Sequence, residues 1–279
     1  MSNGSPLRVL LLIKGLGLGG AERLLERSIP HLDRRAFAYS MCYLLPWKDA
    51  LVGAFETAGI PVHCLNVRYA VDPGALSRLI ALARRGRIDV IHAHLPVPGV
   101  LARLARRRAG VRLVYTEHGI PSRSHIVTRL ANAMTYRMND AVIAVSDEVA
   151  RRVRPYIRGE RPPLVTIPNA IDPALFAHQA ISRDRLCSEF GFPEDAQVIV
   201  NVGNLRAVKG HRHLLAAARR VIDREPRARF LLVGIGPLAG RLAQEARRLG
   251  LNGQVVFTGF RPDAASLIGS SDLFVLSSV

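Results

Sequence analysis

Lysine is nearly missing from this chain. Of 39 basic residues only Lys14, Lys48 and Lys209 are lysine, the rest being arginine. Cysteine is as sparse: Cys42, Cys64 and Cys187 are odd in number, scattered and without CxxC spacing. That excludes a disulfide framework and fits a reducing compartment, the cytoplasm. Long apolar runs are lacking too, and nothing approaches the ~20 residues a membrane-spanning helix needs. The N-terminal "MSNGSPLRVLLLI" carries one arginine and enters a strand pattern at once, unlike a signal peptide. Acidic residues are outnumbered 22 to 39, and the net charge of +17 should draw the protein to polyanions or to an anionic membrane surface. Aromatics make up only 6% and are not interleaved with the arginine clusters, which argues against a nucleic-acid partner. One such cluster, "RLARRRAG" (Arg103 to Gly110), reads as the solvated face of a helix whose buried side is Leu101, Leu104 and Ala105.

The chain has 279 residues, 49% of them hydrophobic, enough for one large or two medium domains with real cores. Apolar, β-rich runs occur at Leu7 to Ile13, Ala38 to Leu45, Val62 to Leu65, Asp89 to His92, Val111 to Tyr115, Ala141 to Val145 and Leu164 to Ile167. Helical spacing separates most of them, as at Leu76, Leu79, Ile80 and Ala83. Such alternation predicts a parallel sheet covered on both faces. The pattern then restarts with "QVIVNVGNLRAVKGHRHLL", "RFLLVGIG", "QVVFTGF" and "DLFVLSS". Two doubly wound α/β domains are expected, residues 1–172 and 173–279, with a hinge near Pro168 to Phe176. Ligands of such sheets bind at the carboxyl ends of the strands, and a cleft between two facing domains is the default site.

The first strand runs into "KGLGLGGAERLL". Glycines allow positive φ and close approach to a ligand, and a helix N-terminus behind them favours an anion, most naturally a phosphate. The spacing Gly15-x-Gly17-x-x-Gly20 fits a dinucleotide fingerprint, so a nicotinamide enzyme or an epimerase-type enzyme on a similar frame is one reading. The fingerprint also asks for an acidic residue at the end of the second strand. That strand is followed instead by Pro46 and Trp47, with no carboxylate before Asp49.

The ordered set "GLGGAERLL", "IHAHLP", "TEHG", "AVSDEVARRV", "IPNAID", "VGNLRAVKGHRHLL", "LLVGIGPL", "VVFTGF" and "SDLFVLSS" resembles the family 4 glycosyltransferases of GT-B fold, from about Val9 to the last residue. The resemblance implies two Rossmann-like domains facing a cleft and a retaining, metal-independent transfer of sugar from a nucleotide diphosphate sugar, with no further cofactor. Donor would lie on the C-terminal domain, acceptor on the N-terminal one. Lys209 matches the family's phosphate lysine. Charge developing on the leaving diphosphate needs fixed cations and backbone donors where no metal serves. The family commonly places an arginine five residues before that lysine; here the position is Asn204, and Arg206 is the candidate to reach the same phosphate. Gly19 and Gly20 match paired glycines that approach the donor phosphate. Glu22 reads as a structural acid in the first turn of the helix. His118 matches a histidine close to the transferred sugar, and is the candidate catalytic residue. His92 and His94, at i and i+2 of one strand, together with Glu117 and His118 also suggest a metal cluster, but no HxxxH or HExxH spacing supports it, and no metal is assigned.

The acceptor is open: cell-envelope, lipid-linked or small-molecule. "SHIVTRLANAMTYRM" (Ser124 to Met138) puts Val127, Leu130, Met134 and Met138 on one side, with Arg129 and Arg137 elsewhere. Such a helix is either a domain helix with its core face or a basic amphipathic helix lying on an anionic bilayer; the second would place the protein at the inner face of the membrane. The resemblance implies continuation past "SDLFVLSSV" into a glutamate-containing donor segment. The second domain, with four of six expected strands, is therefore expected to be incomplete and Phe257, Leu273, Phe274 and Leu276 uncovered. On that account a non-catalytic nucleotide-sugar-binding or membrane-surface relic is the alternative reading.

Overall fold

A computed structural model describes residues 5–68, 72–119, 126–157 and 159–279. The chain divides into two units, Met1–Ala170 and Ile171–Val279.

The first unit contains strands β1 (Leu7–Ile13), β2 (Phe37–Tyr43), β3 (Val62–Cys64), β4 (Val90–His94), β5 (Arg112–Glu117), β6 (Ala141–Ala144) and β7 (Leu164–Thr166). Its helices are α1 (Gly20–Ser28), α2 (Val52–Thr57), α3 (Pro73–Arg85), α4 (Pro96–Ala109), α5 (Ile126–Thr135) and α6 (Asp147–Val153). The strands form one parallel sheet in the order β3-β2-β1-β4-β5-β6-β7. Strand β1 shows why the sheet is covered on both faces. Leu10 and Leu12 enter one core with Leu79, Ile91 and Tyr115, whereas Val9, Leu11 and Ile13 enter another with Met41 and Phe55. A continuous apolar run therefore becomes a central strand with no solvent face.

The second unit repeats the plan with helices α7 (Pro173–His178), α8 (Arg183–Phe190), α9 (His211–Arg224), α10 (Ala239–Arg248) and α11 (Ala264–Ser270). Strands β8 (Gln197–Val202), β9 (Ala228–Val233), β10 (Val255–Gly259) and β11 (Leu273–Phe274) are parallel in the order β10-β9-β8-β11. Here Phe230 and Leu232 face one core and Leu231 and Val233 the other. The strand order reverses between β1 and β4 in the first unit and between β8 and β11 in the second, and such switch points open crevices at the carboxyl ends of the strands.

Two helices depart from the sequence reading. In α4 the buried side is Pro98, Gly99, Ala102, Arg103 and Ala105, while Leu104 is exposed. Arg103, expected in solvent, is completely buried. Small residues let α4 lie close to the sheet, where a Cβ on Gly99 would come within 2.6 Å of the Tyr115 ring. In α5, Val127, Leu130 and Met134 are exposed, so they do not form a core face; the buried residue is Asn132. Ser124 and His125, the start of that quoted stretch, lie outside the described residues.

Candidate functional site

Both switch points carry glycine loops. After β1, the chain passes through Lys14 to Gly19 and enters α1, with Gly19 as its N-cap at φ −78°. None of Gly15, Gly17, Gly19 and Gly20 has a left-handed φ, so they serve close approach and not an inverted turn. A Cβ on Gly15 would lie 2.7 Å from the Lys48 side chain, and one on Gly19 would overlap the Glu22 carboxylate, whereas Gly20 has open space around it. Glu22 thus folds back over the helix N-terminus, where the dipole favours a negative charge. Lys48, which no sequence motif singled out, lies across the loop, its backbone carbonyl accepting from Leu16 N–H at 2.7 Å. Its rarity in an arginine-rich chain is the one signal that pointed to it.

At the carboxyl ends of β4 and β5 stand three imidazoles. His92 and His94 have ring centroids 4.2 Å apart, and His94 and His118 5.3 Å. His92 Nε2 is 2.7 Å from Thr116 Oγ1, and His94 Nδ1 is 3.0 Å from His118 Nε2. Burial, with the neighbouring imidazole of His118, lowers His92 to about 4. Burial alone lowers His118 to about 4, and His94, enclosed further and facing both other rings, falls well below the usual range. All three are neutral at pH 7. Among the described residues no three His, Cys, Asp or Glu side chains are grouped to hold a metal ion.

Glu117 lies behind His118, its carboxylate accepting from Tyr115 OH at 3.0 Å. Burial raises it to about 7, against the opposing pull of the Tyr115 hydrogen bond, the Arg103 charge, and hydrogen bonds from the Gly119 backbone and Asn132. The Arg103 guanidinium is 4.4 Å from the Tyr115 ring centroid and 4.8 Å from that of Tyr136. It donates through Nε to Asn139 Oδ1 at 2.9 Å and to Asn132 Oδ1 at 2.5 Å. This buried scaffold was not foreseen from the sequence.

In the second unit, β8 leads into Gly203, Asn204, Arg206 and Lys209. Lys209 ends a 3-10 turn (Ala207–Lys209), and Gly210, at φ +63°, is the N-cap of α9. The Lys209 stem runs over Gly203, whose Cβ would lie 3.8 Å away. The loop after β9 closes in from the side: a Cβ on Gly234 (φ +143°) would overlap the Gly203 carbonyl, and one on Gly236 would come within 2.5 Å of the Leu205 carbonyl. Arg206 is exposed, and among the described residues neither it nor Lys209 makes an ion pair. The arrangement offers an anion two cations beside a bare backbone and a helix N-terminus. Gly19, Gly20 and His118 lie in the first unit, Arg206 and Lys209 in the second.

Comparison with known proteins gives a family match in each of the two units. Residues 18–175 match the model of Glycosyltransferase Family 4, and residues 182–279 that of Glycosyl transferases group 1. The chain is 26% identical over 74% of its length to N-acetyl-alpha-D-glucosaminyl L-malate synthase of Bacillus anthracis. It is 25% identical over 84% of its length to UDP-Gal:alpha-D-GlcNAc-diphosphoundecaprenol alpha-1,3-galactosyltransferase of Escherichia coli. It spans 55% of the first relative and 63% of the second. Among solved structures, Anabaena HepE in complex with UDP-glucose superposes with a TM-score of 0.79 at 25% identity, over 98% of this chain and 74% of that one. The fold is GT-B, with two Rossmann-like units, and the chain belongs to glycosyltransferase family 4.

Proposed function

We propose that this chain acts as a retaining glycosyltransferase of the cytoplasm, moving a sugar from a nucleotide diphosphate sugar to a lipid-linked or other cell-envelope acceptor. The observation that carries the reading is Lys209: a cation without an acidic partner among the described residues, beside Gly203 and the N-terminus of α9. Departure of a nucleoside diphosphate leaves charge on a phosphate, and fixed donors aimed at that charge lower the barrier. Arg206, two residues beyond the expected arginine position, is close enough in sequence to share the load. The HepE structure with UDP-glucose supports a nucleotide sugar as donor. For the acceptor, the E. coli relative's diphosphoundecaprenol substrate, the exposed apolar face of α5 and the net charge of +17 support a lipid-linked molecule at an anionic membrane surface.

The test is calorimetric titration with UDP and with uridine. Lys209→Ala should weaken UDP by roughly tenfold or more, since a charge-assisted hydrogen bond is worth about 1.5–3 kcal/mol, and leave uridine unchanged. Arg206→Ala should behave alike if it contacts the same phosphate. Equal losses for both ligands would rule the phosphate assignment out.

A further inference from the structure

The pairing of His94 with His118 carries more than proximity. Strands β4 and β5 are parallel neighbours in register, with His94 opposite Thr116, so that His118, two residues on, leaves the end of β5 beside the His94 ring. His118 Nε2 is taken by His94 Nδ1 at 3.0 Å. A neutral imidazole has one donor and one acceptor nitrogen, so Nδ1 is the only nitrogen His118 has left for a ligand.

Which hydrogen sits there follows from the other end of the pair. His94 is 3% exposed, and its Nε2 has no hydrogen-bond partner among the described residues. If His118 Nε2–H donated to His94 Nδ1, the His94 proton would sit on Nε2 as a buried N–H without an acceptor. If His94 Nδ1–H donates instead, Nε2 is a buried lone pair without a donor. Orphaned buried N–H groups are the rarer of the two, and an unmade bond to a buried donor carries its full desolvation cost. The second arrangement therefore prevails, and it leaves the proton of His118 on Nδ1.

We propose that His94 is a positioning residue that locks His118 in its Nδ1–H tautomer, so that His118 meets the transferred sugar as a hydrogen-bond donor and not as a base. The role of the sugar rests on the glycosyltransferase reading; the tautomer does not. His92, held by Thr116 Oγ1, lies against His94 with ring centroids 4.2 Å apart and planes tilted by 37°, and so crowds the His94 ring from its other side. Depressed basicity in all three rings agrees, since a neutral donor is what such a chain of imidazoles presents at pH 7.

The test uses 15N-labelled protein and long-range proton–nitrogen correlation of the imidazoles, His118 being assigned by its loss in His118→Gln. In the wild type His118 should show a protonated Nδ1 and a bare Nε2. In His94→Leu it should revert to the Nε2–H form that free histidine prefers. His94→Asn, whose amide can donate from the place of Nδ1, should restore the wild-type pattern. A second readout compares UDP-glucose with UDP. His94→Leu should reduce the preference for UDP-glucose by about tenfold, the scale of a misaligned contact, leave UDP unchanged, and be rescued in His94→Asn. An Nε2–H His118 in the wild type, or an unchanged tautomer in His94→Leu, overturns the proposal; should His94→Leu fail to fold, the wild-type spectrum and His94→Asn decide it. Absence of UDP binding by the wild type would instead count against the glycosyltransferase reading and leave the tautomer result standing.

Discussion

The Arg103 guanidinium, though completely buried, forms no ion pair among the described residues; it is held instead by the Asn132 amide oxygen, 2.5 Å from its Nη1. A buried cation is tolerated only when its donors are met and charge lies near. Here Asn139 takes Nε and Asn132 takes Nη1, two aromatic faces flank the guanidinium and Glu117 supplies nearby charge, while Nη2 has no hydrogen-bond partner among the described residues. Arg103→Met should therefore destabilise the first unit by about 2–4 kcal/mol, because two amide oxygens lose their partner in an apolar setting. Arg103→Lys should recover little, since an ammonium cannot fork to both amides while lying flat on the rings. Urea unfolding measures both, and carbon NMR of Glu117 should show its carboxyl titrating higher once the cation is gone. Full stability in Arg103→Met would show that the network is incidental.

The same region fixes how stability responds to pH. His92 and His118 titrate near 4 in the fold against 6.5 in a free chain, and His94 lower still. Their neutral burial favours the fold above 6.5, and that advantage is lost as pH falls toward 4. Glu117, raised to about 7 from 4.5, works the other way: its advantage is present below 4.5 and lost as pH rises through 7. Three imidazoles outweigh one carboxyl, so unfolding near pH 5.5 should take up about two protons. Stability should fall steeply below about pH 6.5 and level off above neutrality, and Glu117→Gln, which removes the opposing proton release, should steepen the acid limb. A stability profile flat between pH 6.5 and 4.5 would contradict the assignment.

Much of the frame was legible because it is written locally. Apolar runs such as "LRVLLLI" separated by helical spacing leave few alternatives to a doubly wound sheet, and all eleven strand runs fall where they were expected, β1 with the same bounds and the others with one end or both shifted. Arg103 was illegible for the opposite reason. Its partners stand 29 and 36 residues away in sequence, and the pattern of α4 alone favours Leu104 over Arg103 as the buried residue. Only after Gly99 and Ala102 bring α4 against β5 does a guanidinium fit between Tyr115 and Tyr136. The His94–His118 pair was half legible: the i, i+2 spacing of His92 and His94 is visible, but the register with β5 that sets the 3.0 Å contact is not.

Two glycines should separate folding from binding. Gly210 has φ +63°, and a Cβ there would overlap the Ser277 carbonyl oxygen and lie 2.9 Å from its carbon. Gly210→Ala should therefore cost at least about 1 kcal/mol of stability, and by shifting the turn that ends in Lys209 it should weaken UDP as well. Gly20 has open space around it and helical geometry at the first position of α1. Gly20→Ala should leave thermal stability unchanged, yet weaken UDP-sugar binding if a donor phosphate approaches that backbone. Unchanged donor binding in Gly20→Ala would remove the first glycine loop from the donor site.

The face of α5 makes the membrane reading testable. Ile126, Val127, Leu130 and Met134 are 49%, 65%, 56% and 84% exposed, along the helix side that leaves Asn132 to the interior. Among the described residues no helix is long and apolar enough to cross a bilayer; the exposed face of α5 has the form of a helix that lies in the plane of the interface. Each large side chain moved from water into the acyl boundary contributes about 1.5–3 kcal/mol, and the chain's +17 charge adds attraction to anionic headgroups that salt weakens. The protein should co-sediment with vesicles rich in anionic lipid and only weakly with neutral ones. The double variant Leu130→Glu with Met134→Glu should bind the anionic vesicles at least tenfold less, as loss of two such contacts requires, while its melting temperature stays within a few degrees because neither side chain is buried. High salt should weaken the wild type but not raise the variant. Equal vesicle binding by variant and wild type would leave general charge attraction as the whole of the effect and detach α5 from the acceptor's membrane.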